Sequence, residues 1–173
     1  FSTVNAVLLR PLPYVHPEQI YTVRTFFPSG RFTIGLMASE EMAVLDGFAD
    51  AVAGTAMTQR QDAALATGGA SRQVVGQFVS GRFFALFGVP VAAGRAIEDA
   101  DAVRGAPRVA VISHGLWTSA FGGRDDVIGS AITLAGRPVR VVGVAAPSFD
   151  VPAGTSVWVN NEFPLSIGHG YEG

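Results

Sequence analysis

The sequence predicts an α+β fold, and three observations carry that prediction. Residues 107–112 form a short run with aliphatic side chains on both faces, Val109 and Val111 on one and Ala110 and Ile112 on the other, as in a strand buried on both sides. A helical pattern follows at once, with Leu116, Trp117, Ala120 and Phe121 on one face, Ser113 placed to cap its start and Gly122 and Gly123 to stop it. After the connector RDDVIG come two alternating runs, 131–134 and 138–144, joined by Ala135, Gly136 and Arg137 in a hairpin signal, because glycine accepts positive φ. The unit over 107–149 is therefore β, α, β, β.

The opening FSTVNAVLLRPLPY sets Val4, Val7 and Leu8 on one helical face before Arg10, Pro11 and Pro13 end the run. Two readings stand at this point: an ordinary amphipathic helix, or the tail of a longer hydrophobic helix with Arg10 and Tyr14 at interface depth. Residues 20–26 alternate as a strand and 27–30 turn. Ser39 caps a short helix with Glu40 and Glu41 in its first turn, Met42 and Leu45 inward and Gly47 at its end. Strands are expected over 50–58, 62–66 and 71–80, the last two joined at Gly68 and Gly69. Residues 81–88 give one or two helical turns with Phe83 and Phe87 at i, i+4, an aromatic cluster that serves the core, since no convergent polar groups accompany it. Residues 94–106 are a polar, acidic connector, and 156–159 one further short strand.

Composition bounds the function. A chain of 173 residues is long enough to bury roughly 70% of its unfolded surface. The net charge of −2, with twelve arginines, no lysine and no basic run, lacks the electrostatic footprint of a nucleic-acid binder. The absence of cysteine excludes disulfides, thiol catalysis and Cys-ligated metals. No run of eighteen apolar residues offers a membrane span.

No constellation carries chemistry. His16, His114 and His169 stand at no metal-ligand spacing. Ser113, His114, Asp125 and Asp126 suggest a hydrolytic arrangement only on paper: adjacent residues rarely reach triad geometry, no Gly-x-Ser-x-Gly elbow presents the serine, and an N-cap explains Ser113 more simply. Glu98, Asp99 and Asp101 could face a cation, but they lack the spacing of a calcium loop and read as a solvated connector. FGGRDD lacks the Gly-Lys-Ser/Thr ending of a phosphate loop.

Several blocks in order, NAVLLRPLPY, VSGRFFALFGVPVAAGR, VAVISHGLWTSAFGG, VIGSAITLAGRPVRVVGV and APSFDVP with SVWV, resemble the periplasmic core domain of MacB-like ABC transporter permeases of the FtsX superfamily. The resemblance covers nearly the whole chain. It implies a two-lobed domain, a porter-like βαβ lobe with a smaller mixed lobe inserted. Residues 1–13 would be the remnant of a first transmembrane helix, 14–105 the first half of the porter-like lobe, 106–146 the inserted β-α-β-β lobe, and 147–173 a truncated return.

For function it implies a non-catalytic extracytoplasmic domain at the bacterial inner membrane. Such a domain transmits ATP-driven motion of the membrane helices to export or lipoprotein handling. Its partners would be its own transmembrane helices, an ABC ATPase domain or subunit, and a periplasmic protein or second permease copy, with no nucleic acid, metal or cofactor. The resemblance carries over no catalytic residue. The expected structural positions are Phe83, Phe84, Leu86 and Phe87 in the first lobe, and Trp117, Phe121, Gly129 and Gly143 in the second. The alternatives are a free-standing envelope ligand-binding module, with ligand loops around Gly30 or Gly154, and a hydrolase using Ser113 and His114.

Overall fold

A computed structural model describes residues 54–67, 69–88 and 90–161, together with Ile20. The expected N-terminal helix, the strand at 20–26 beyond Ile20 and the helix after Ser39 lie outside the described residues. The elements run β1 (Thr58–Arg60), β2 (Ala63–Thr67), β3 (Ala70–Val74), β4 (Gly76–Val79), α1 (Phe83–Phe87), β5 (Val91–Gly94), β6 (Val109–Ile112), α2 (His114–Phe121), β7 (Ala131–Leu134), β8 (Arg137–Ala145) and β9 (Val157–Asn160). Short 3-10 turns lie at Asp99–Ala102 and Asp125–Val127. No helix among the described residues is long and apolar enough to cross a membrane.

The strands form one mixed sheet in the order β1-β4-β9-β6-β8-β7-β2-β3, with β5 added on β8. Two of its ladders are parallel, β4 with β9 and β6 with β8. The ends of this order meet. Thr58 to Arg60 pair with Val79 to Gln77, and Ala63 to Thr67 pair with Val74 to Ala70, in one unbroken register. Between the two ladders the Gln61 N–H donates to the Gly76 carbonyl at 2.9 Å. Strands β1 and β2 are thus one arm of a bent hairpin, and β3 and β4 the other. One arm pairs with β9 through β4 and the other with β7 through β2, so the ladders return on themselves in a ring of two hairpin arms, β9, β6, β8 and β7. Closure removes exposed edges at every ladder it completes.

The expected strand at 71–80 is therefore two strands bent at Val75, although its alternation survives the bend. The strand expected over 50–58 is confined to Thr58–Arg60 among the described residues. β5 lies in a stretch without a strand pattern, because in VAAG only Val91 is large enough to mark a face.

Strand β6 is buried on both faces, and its alternation divides the core in two. Ala110 and Ile112 face the ring interior with Leu65, Val74, Ile132, Leu134, Val139, Val141, Val157 and Val159, and α2 lays Leu116 against this group. Val109 and Val111 face outward, where α1 packs Phe83, Phe84 and Phe87 with Ile97, Phe149 and Trp158. In β8 the pairing with β6 shifts by one residue between Val141 and Gly143. This bulge lets Val141 and Val144, three apart, face the same interior. The ring draws strands from 14–105, from 106–146 and from 147–173 alike.

Candidate functional site

The outer face is built on aromatic rings. Helix α1 has no side-chain cap at its start, and Gly88 ends it in the left-handed conformation (φ 60°). Its stability comes from packing. Phe83 meets Phe84 at 5.4 Å and Phe87 at 5.0 Å between ring centres, and Phe84 meets Phe149 at 5.5 Å and Trp158 at 5.8 Å. Trp158 is fully buried and donates its indole N–H to the Val151 carbonyl at 2.8 Å. Leu86 departs from the expectation of a core position: it is 36% exposed. A five-residue helix presents one stripe, and Phe83, Phe84 and Phe87 fill it, which turns Leu86 outward.

On the other side, the Ser113 hydroxyl accepts the Leu116 N–H at 3.1 Å, capping α2. Leu116, at 4% exposure, carries the burial of that helix, while Trp117 and Phe121 pack half-buried at the margin of the core. Trp117 donates its indole N–H to the Arg124 carbonyl at 2.8 Å and meets His114 edge-on at 5.3 Å. Gly129 is exposed and takes φ 86° in open space, so it serves the turn and not the core. Gly143 is buried for a different reason: a Cβ there would stand 2.2 Å from the Arg95 carbonyl oxygen. Of the expected positions, the structure brings Phe83, Phe84 and Phe87 together on one face, sets Trp117 and Phe121 on the other, and leaves Leu86 and Gly129 at the surface.

Ser113, His114, Asp125 and Asp126 form no catalytic arrangement. The serine is committed to its cap and Asp126 pairs with Arg124 at 3.1 Å. Among the described residues no group of three His, Asp or Glu could hold a metal ion. His16 and His169 lie outside the described residues.

A polar clamp joins the acidic connector to the sheet. Arg95 grips Asp101 with two hydrogen bonds of 2.6 and 2.8 Å, and the same carboxylate accepts the Glu98 N–H at 3.0 Å. The Arg95 hydrogen bonds hold the Asp101 carboxyl below its ordinary range, with the Glu98 N–H helping and partial burial opposing. Asn160, 6% exposed, accepts the Val109 N–H at 2.8 Å and donates to the carbonyls of Pro107 at 3.1 Å and Asp101. Both groups escaped sequence reading. Asp101 stood there as a solvated acid, and Asn160 sits beside a second asparagine in a stretch without periodicity.

At one mouth of the ring a groove of about 420 Å³ opens between Phe78, Arg108, Arg137 and the valines of β8 and β9. The Arg108 guanidinium carbon lies 5.7 Å from the centre of the Phe78 ring.

Residues 2–168 match the family described as the MacB-like periplasmic core domain. No curated relative matches the sequence. Among solved structures the chain is similar to the extracellular domain of the noncanonic ABC-type transporter YknZ from Gram-positive bacteria. The identity is 20%, over 72% of this chain and 62% of that one, with a TM-score of 0.59. It is also similar to the periplasmic region of MacB from Actinobacillus actinomycetemcomitans, at 16% identity over 69% of this chain and 52% of that one, with a TM-score of 0.52. The chain thus spans under two thirds of the length of the first and about half of the second. At these identities the likeness shows the fold alone, and the family match over nearly the whole sequence shows the membership. The chain belongs to the MacB-like periplasmic core domain family, a non-catalytic extracytoplasmic type of domain found in ABC transporter permeases.

Proposed function

We propose that this domain is the stiff extracytoplasmic body of a permease at the bacterial inner membrane. Movement of the membrane helices, driven by ATP hydrolysis in a separate cytoplasmic domain or subunit, passes through it to a periplasmic partner or second permease copy, in substrate export or lipoprotein handling. The family match over residues 2–168 carries this reading. The fold supports it physically. A body that transmits motion must move without deforming, and here the ladders close on themselves while packed cores cover both faces of the central strands. On this reading 106–146 forms the inserted lobe within 14–105 and 147–173, and the bent hairpin ties the two together.

The reading is tested in the full permease with its ATPase, reconstituted in vesicles. The chain has no cysteine, so Arg72→Cys on the hairpin and Ser119→Cys on α2, both exposed, place spin labels within one domain. The distance between them should stay constant across nucleotide states, while the distance from Ser119→Cys to its counterpart in a second copy changes. A changing internal distance, or no nucleotide-dependent movement at all, overturns the proposal.

A further inference from the structure

The groove at the ring mouth opens over core residues of β7, β8 and β9, with two arginines at its rim. Its size falls in the range of small-molecule sites, and the open ends of barrels are a usual place for them. Val157 and Val159 form its floor and the half-buried Phe78 one wall. Arg108 and Arg137 stand exposed at the rim, and no acidic residue lines it. Elsewhere Arg60, Arg82, Arg95 and Arg124 each pair with an aspartate. Neither rim arginine makes an ion pair among the described residues.

We infer that this groove binds a small single-chain amphiphile with an anionic head, its hydrocarbon tail on the Phe78 and valine surface and its head between the guanidiniums of Arg108 and Arg137. The apolar lining and the rim cations, which make no ion pair among the described residues, ask for both parts in one molecule: a tail alone would leave the guanidiniums without an anion, and an anion alone would leave the half-buried Phe78 ring uncovered. The strands that line the groove also argue against a peptide. β2, β4, β7, β8 and β9 are each paired on both sides, so no free edge remains there for an extended chain to join. The site goes beyond the transmission of motion, and its failure would leave that role untouched.

Decanoate, kept below its micelle concentration, is the probe, with decanol as the uncharged control, both titrated calorimetrically into the chain. Saturable one-to-one binding of decanoate is expected. It should weaken at least about tenfold in Arg108→Ala/Arg137→Ala, and decanol should bind at least about tenfold more weakly than decanoate. Thermal denaturation checks that the double variant keeps its fold. Should it not fold, the unmodified chain still decides, because decanoate binding must weaken as salt screens the rim. Absent saturable binding, salt-independent binding, or equal binding by a folded double variant overturns the site. Arginine-dependent capture of an alternating Glu and Leu peptide in preference to decanoate overturns it too, and makes the occupant a protein segment.

Discussion

The two faces of β6 are held in different ways. The ring interior is aliphatic and largely β-branched, and closed ladders surround it, so each side chain there is fixed by neighbours on every side. The outer face relies on a few large rings under a five-residue helix that lacks an N-terminal side-chain cap. The inner face distributes its stabilisation over many positions, whereas the outer face concentrates it in Trp158, Phe149 and the three phenylalanines of α1. Single substitutions should therefore be felt more sharply outside the ring than in it.

Trp158→Ala gives the largest expected effect. It removes a fully buried indole and its hydrogen bond to Val151 and should cost roughly 3–5 kcal/mol, read by urea denaturation. A loss no greater than that of Val157→Ala beside it would break the contrast between the faces. Next comes Gly143→Ala, which forces a methyl against the Arg95 carbonyl where backbone meets backbone. About 1–3 kcal/mol is expected, while Gly129→Ala should lose stability through its positive φ alone, with no clash.

Asp101→Asn tests the side-chain half of the clamp, the pair that the Asp101 carboxylate makes with Arg95. Because Arg95 lowers the folded-state pKa of Asp101, its stabilisation is present above the ordinary aspartate pKa and is lost as pH falls through the lowered folded value. At neutral pH the variant should be about 1–2 kcal/mol less stable. The difference should close in acid, and a pH-independent difference would assign the effect to packing. Ser113→Ala is the smallest, about 1 kcal/mol in the same denaturation measurement, for loss of the α2 cap.

What the sequence made legible was local. The two-sided burial of β6, the Ser113 cap, the Gly122 stop and the β7–β8 hairpin all rest on neighbouring residues, and the structure has each of them. Ala135 and Gly136 take φ of 47° and 75°, so the hairpin turns on two residues, and Arg137, expected in the loop, starts β8. Ring closure was not legible, because a bend at Val75 leaves the alternation intact and the β4–β9 ladder joins residues about eighty positions apart. The burial edge of α2 was also hidden. Leu116, Trp117, Ala120 and Phe121 span a wide helical face, and only the facing strands decide that Leu116 lies deepest. The clamp depends on contacts from Asn160 to residues more than fifty positions earlier, which no spacing rule anticipates.

Native-state hydrogen exchange tests most directly the claim that the hairpin closes the ring into one stiff body. The amides of Leu65 in β2, Phe78 in β4, Val141 in β8 and Val159 in β9 should exchange only through global unfolding, with one common free energy and one common denaturant dependence. Exchange of Leu65 and Phe78 through a separate, lower-energy opening, with Val141, whose N–H donates to the Ser130 carbonyl, still protected, would show that the hairpin is an appendage and would contradict the account.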